Sequence, residues 1–122
     1  MPDSQRRTRG PARPAVVTLP AEIDISNAER IGEELCAAFA PGVRVVIADM
    51  TATRFCDSSG ISILVLAHRK ALTNKAELRL VAAATAVLRA LTVVRLDHLL
   101  PVYSSLAEAL AAGISPKTAT AR

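Results

Sequence analysis

The chain has 122 residues, of which 51% are hydrophobic but only 2% aromatic, with no Trp. One domain of that length can bury a core. That core has to be built from Val, Leu, Ile and Ala, which excludes a module that stacks nucleobases on aromatic rings. The net charge of +4 belongs to the ends: residues 1–14 carry +3 and 113–122 carry +2, whereas 15–112 hold nine basic and ten acidic residues. The folded body therefore lacks the positive stripe that grips a phosphate backbone, and no nucleic-acid partner is expected.

Residues 1–13 (MPDSQRRTRGPAR) are polar, basic and broken by Pro and Gly, and read as a disordered N-terminal arm ahead of a domain over 14–112. Ala15 to Leu19 reads as a strand, followed through Pro20 by Ala21-Glu22-Ile23-Asp24. Ser26 with Glu29 three residues later is the capping-box signature, and Ala28, Ile31, Leu35, Ala38 and Phe39 follow at helical spacing. Pro41-Gly42 ends that helix.

Val43 to Ala48 (VRVVIA) is almost wholly apolar and β-branched, the pattern of a central strand covered on both faces. After the Thr51–Arg54 loop comes a helix from the serines at 58 and 59 to about Thr73. Glu77 to Ala82 alternates as a strand does, and Thr85 to Val94 has helical spacing. Pro101-Val102-Tyr103 reads as a short edge strand. A last helix runs from Ser105 to Ala112, capped at Ser104 or Ser105, and residues 113–122 read as a flexible tail. Alternating strands and helices imply an α/β layer fold with at least partly parallel strands.

Cys36 and Cys56 lie 20 residues apart, without close pairing, and read as reduced thiols. Neither they nor His68 and His98 have metal-ligand spacing, so no metal is expected. The Arg- and Pro-rich N-terminus does not resemble a signal peptide, and no apolar stretch approaches the ~20 residues that span a bilayer. The expectation is a cytoplasmic protein without a membrane partner, monomeric or weakly dimeric.

The most informative segment is Phe55-Cys56-Asp57-Ser58-Ser59-Gly60, followed at once by the apolar run Ile61 to Ala67. Short polar residues at a loop-to-helix junction cap the helix by accepting hydrogen bonds from its first N–H groups. One such residue suffices and here there are three in a row, so Asp57 and Ser58 read as capping and positioning residues while the Ser59 hydroxyl is left over. Functional loops of open α/β sheets gather at the carboxyl ends of strands, and the loop after Ala48 leads to this segment.

A nucleophilic role for Ser59 needs a base within hydrogen-bond reach. His68, nine residues along the same helix, falls ~14 Å up the axis and ~180° round it, and nothing places His98 nearby. The G-x-S-x-G elbow of hydrolases is missing too. Nucleotide binding has only the helix N-terminus to recommend it, since the chain has neither a Walker lysine nor G-x-G-x-x-G. No enzyme activity and no cofactor are expected.

Four local patterns together resemble the single-domain STAS proteins, the bacterial anti-anti-sigma factors. These are Ala21-Glu22-Ile23-Asp24 (often Gly-Glu-Leu-Asp in the family), Phe55 to Gly60, Ala76 to Val81, and Leu96-Asp97-His98-Leu99-Leu100-Pro101-Val102-Tyr103 with Ser105-Leu106. They cover about residues 15–112 in the family's order. The resemblance implies a mixed β-sheet of four to five strands packed with about four α-helices. It also implies an anti-sigma factor antagonist whose serine before the glycine, here Ser59, is phosphorylated by a partner that is both anti-sigma factor and ATP-dependent serine kinase. The unphosphorylated form binds that partner and frees the sigma factor, and a protein serine phosphatase resets the cycle. Asp24 then lies near the serine and contributes to the contact surface, and Gly60 is expected to allow close approach of the kinase. A phosphorylation-independent STAS subunit that binds a nucleotide or lipid, or acts as a scaffold, is the alternative.

The chain departs from the family pattern in three places. The usual first strand would fall in residues 5–13, within the arm. Ala76 and Arg95 stand where glycine is frequent.

Overall fold

The computed structural model describes residues 13–113. The expected arm and tail, and the family's first strand in residues 5–13, lie outside those residues except for Arg13 and Gly113 at the margins.

The elements in chain order are strand β1 (Ala15–Thr18), β2 (Glu22–Ile23), helix α1 (Ala28–Ala37), β3 (Val45–Met50) and β4 (Phe55–Cys56). There follow α2 (Ser58–Thr73), β5 (Glu77–Ala82), α3 (Thr85–Val93), α4 (Leu96–Leu99), β6 (Val102–Tyr103) and α5 (Leu106–Ala111). The main sheet has strand order β1-β3-β5-β6, and each pairing in it is parallel. Parallel neighbours need long crossovers. Here α1 lies between β1 and β3, α2 between β3 and β5, and the α3–α4 pair between β5 and β6. A second, two-stranded parallel sheet joins β2 to β4.

Alternation along the central strands divides the core in two. Val46, Ala48 and Met50 of β3 and Leu78, Leu80 and Ala82 of β5 join Leu35, Leu64, Ala67, Val87 and Leu91 from the helices in the larger cluster. Ile47 and Val81 point to the opposite face and pack with Ala109 of α5. Every residue of β5 is buried, including Glu77 and Arg79, so its alternation of charged and apolar residues does not mark a solvated face.

Arg79 explains how a charge is tolerated there. Its Nε donates to Glu77 Oε2 at 3.3 Å, and its other nitrogens donate to the carbonyls of Ala109 (2.6 Å), Ala112 (3.0 Å) and Gly113 (2.7 Å). The guanidinium thus satisfies the open end of α5, whose last carbonyls have no partner within the helix, while lying 6.0 Å from the Tyr103 ring centroid.

Local differences from the sequence reading have identifiable causes. The capping box at Ser26 does not form. Ser26 gives its N–H and hydroxyl to Asp24, and α1 starts after Asn27, whose side chain is also engaged elsewhere. The two-residue β4 and single-turn α4 are too short to leave a periodic signal. Arg95 has φ +63°, the left-handed conformation that favours glycine, whereas the other described non-glycine residue with such a φ is Lys75 (φ +54°), not Ala76.

Replacing Arg79 with Leu is expected to cost about 3–5 kcal/mol in urea unfolding, the range for breaking a buried ion pair. A loss below about 1 kcal/mol would show that the guanidinium does not hold α5 in place. Arg95→Gly should instead raise stability, by up to about 1 kcal/mol, by relieving the left-handed backbone.

Candidate functional site

The site is assembled by the small β2–β4 sheet. Glu22 pairs with Phe55 and Ile23 with Cys56, and the Asp57 N–H donates to the Ile23 carbonyl at 3.1 Å. In a parallel pair, residues one step beyond each strand emerge side by side. Asp24 and Asp57 therefore leave the sheet as neighbours.

Asp57 is the N-cap of α2: its Oδ1 accepts from the N–H groups of Ser59 (2.8 Å) and Gly60 (3.2 Å). Ser58 does not share this role, because it already occupies the first helical position and its side chain is exposed. Ser59, at the second, is half-buried and lines a groove at the protein surface.

Gly60 is buried, which corrects its expected role. A Cβ at this position would lie 2.5 Å from Cys56 Sγ and 2.8 Å from Ile23 Cγ2. The missing side chain therefore lets α2 approach its own β2–β4 sheet, and the space is filled from within the domain. Gly32 does the same between helices, since a Cβ there would meet the Ile63 side chain at 3.1 Å.

The Asp24 turn is braced on both sides. Asp24 Oδ1 accepts from the Ser26 N–H at 2.9 Å and from the Ser26 hydroxyl. The Asp24 N–H donates to Asn27 Oδ1 at 3.0 Å, and Asn27 Nδ2 donates to the Glu22 carbonyl at 2.8 Å. The Ser26 hydroxyl, and then its N–H, hold the Asp24 carboxyl below its ordinary pKa, so it stays ionised at neutral pH. The tip of this turn presents Ile25, which is 81% exposed.

Two shallow grooves flank the start of α2. The one toward α1, about 590 Å³, takes in Ser59, Ser62 and Leu66 from α2, and Ile25, Glu29 and Glu33 from the other side. The one toward α3, about 420 Å³, contains Ser58, Asp57 and Arg89 beside Val93 and Val94. The two adjacent serines thus face different surroundings. Ser59 shares its groove with two carboxylates, whereas Ser58 shares its groove with a carboxylate and an arginine. Asp24 lines neither groove but adjoins Ile25, which lines the first.

Burial, and secondarily the Asp57 charge, push the Cys56 thiol up to about 11, so this cysteine is a packing group. Burial lowers the pKa of His68, as for a packed or rim residue on α2. No group of three metal-ligating side chains occurs among the described residues, and no helix among them is long and apolar enough to cross a membrane. Ile25, Glu29, Glu33, Gly32 and Leu66 were not legible as site residues. The one available signal was Gly32, since glycine inside a helix costs about 1 kcal/mol and so marks a close approach.

The family model of the STAS domain matches residues 5–109, and the chain belongs to that family. No curated protein sequence matches it. Among solved structures, it is similar to an anti-sigma factor antagonist from Mycobacterium paratuberculosis, with 26% identity over 85% of this chain and 86% of that one, and a TM-score of 0.73. It is also similar to an anti-sigma-factor antagonist (STAS) domain protein from Planctomyces limnophilus, with 26% identity over 78% of this chain and 85% of that one, at a TM-score of 0.69.

Gly60→Ala should destabilise the domain by roughly 1–3 kcal/mol from overpacking, despite alanine's better helix propensity, as read by thermal or urea unfolding. Unchanged stability would mean that β2–β4 yields easily. In the folded protein Cys56 should resist iodoacetamide at pH 8 and react only on unfolding, with mass mapping of the alkylated peptides as the readout. Prompt alkylation of Cys56 would contradict its burial.

Proposed function

We propose that this STAS domain is an anti-sigma factor antagonist, a binding protein rather than an enzyme, and that a phosphate on Ser59 switches it off. The observation that carries the reading is the placement of Ser59. It occupies the second position of α2 and lines a surface groove, beside a cap whose side-chain hydrogen bonds come from Asp57. The similar solved structures are of anti-sigma factor antagonists, which supports this reading.

The partner is an anti-sigma factor that also carries ATP-dependent serine kinase activity. In the transfer step the Ser59 Oγ attacks the γ-phosphorus of ATP held by that partner. The bond to the β-phosphate oxygen breaks, ADP leaves, and the hydroxyl proton passes to a base on the kinase or to solvent. A protein serine phosphatase hydrolyses the ester and restores the hydroxyl. The domain itself needs no cofactor for either step.

The physical consequences of the phosphate favour a switch. It adds about −1.5 to −2 charges. In the first turn of α2 it meets the positive end of the helix dipole, which favours an anion by ~0.3–1 kcal/mol, so the fold should persist. In a docked interface the same group is desolvated among Asp24, Asp57, Glu29 and Glu33, which can cost several kcal/mol. A loss of ~4 kcal/mol corresponds to about a thousandfold in affinity. Asp57 positions the serine through its backbone N–H, and Asp24 belongs to the rim of the contact surface.

Ser59→Ala is expected to bind the anti-sigma kinase as wild type does but to accept no phosphate, and Ser59→Asp to bind more weakly, in a titration by calorimetry. If both variants bound, were phosphorylated and were released as wild type is, the assignment of Ser59 would be wrong.

A further inference from the structure

We propose that the groove between α1 and α2 is the seat for an apolar side chain of the anti-sigma partner flanked by lysine or arginine, so that phosphate on Ser59 acts by filling that seat. This inference rests on the proposed function and adds where the partner sits and how release occurs. Three observations point to such an occupant.

The first is an exposed apolar anchor on a rigid support. Ile25 is 81% exposed and Leu66 55% exposed, on opposite lips of one groove. Ile25 is carried by the turn that Asp24, Ser26 and Asn27 brace with side-chain hydrogen bonds, so little ordering is required when it is covered. The second is room. The wall between the lips is made of small residues, Ala28 and Gly32 on α1 and Ser59 and Ser62 on α2. The third is charge. Among the described residues, the charged groups lining the groove are Glu29 and Glu33. An acidic rim around an apolar floor selects a basic-flanked apolar segment and rejects an acidic one.

The same geometry resolves an apparent conflict. A negatively charged phosphate should attract a basic partner, yet it is proposed to release it. Ser59 is part of the groove wall, so a phosphate ester there, with its hydration shell, takes the volume that the apolar side chain would occupy. Lost shape and desolvation then outweigh the added attraction, because the central apolar contact of an interface carries more of the affinity than rim charges do. Bulk without charge should therefore mimic the phosphate.

The test titrates the full-length chain against the anti-sigma factors encoded in the same genome. Wild type is compared with Ile25→Ala, with Glu29→Lys/Glu33→Lys, and with Ser62→Leu, which fills the groove without altering the phosphoacceptor. Circular dichroism and thermal melting of each variant show that the fold is retained. The expected result is a loss of about tenfold or more in affinity for each, with the double charge reversal also flattening the salt dependence of the association rate. Should wild type bind an anti-sigma factor and all three variants bind it equally well, the groove is not the seat, while the proposed function stands. Should wild type bind none of them, the proposed function and the inference both fail. Self-association of wild type that is abolished by Ile25→Ala would instead make the groove a contact between copies. Tighter partner binding after deletion of residues 1–12 would make the basic N-terminal segment the occupant. Either of these outcomes overturns the proposal.

Discussion

The close approach of the first turn of α2 to the β2–β4 pair is the constraint on which the site depends. Gly60 lies against Cys56 and Ile23 with no room for a methyl group, and the neighbouring Asp57 ties the backbone of Ser59 and Gly60 from above. These two contacts fix the height and rotation of α2 relative to the strand ends. Once they are set, Ser59 has to face α1 and Ser58 has to face α3. The chemical difference between two adjacent serines thus follows from a packing requirement one residue further on.

That constraint places the groups that hold α2 apart from the proposed phosphoacceptor. The start of α2 is held by the Asp57 cap and the close packing of Gly60, and no side-chain cap hydrogen bond from Ser59 takes part. On the proposed function, a reversible charge would be added there beside the core and not within it. The sheet beneath is rigid for independent reasons. Its central strands are buried on both faces, and Arg79 locks α5 onto the far side through three backbone carbonyls. The proposed binding surface, carried on such a support, would lose little entropy on docking.

Much of this was legible in the residues. The β-branched run through Val45 and Val46, the short segment at Glu77–Ala82 and the long helix after Asp57 each carry a composition or length that favours the element the structure shows. That Asp57 alone caps α2 was legible as a surplus, because three capping residues stand where one is enough. Other features required the third dimension. β2, β4 and α4 are shorter than any period. The role of Gly60 is set by Ile23, which is distant in sequence, so the glycine read as an opening for a partner when it is a contact inside the domain. Ser26 and Glu29 fit the capping-box spacing, but Asp24 competes for Ser26 at shorter range and takes it. The groove lined by Ile25, Glu29, Glu33 and Leu66 lies between α1 and α2, where Gly32 packs closely against Ile63.

The most direct measurement of the central claim is site mapping of the phosphate by tandem mass spectrometry, after the full-length chain is incubated with ATP and its cognate anti-sigma kinase. The account predicts a single modified residue, Ser59, in a protein whose circular dichroism is unchanged. A phosphate found on Ser58 instead, or a domain that unfolds when Ser59 is modified, would contradict it.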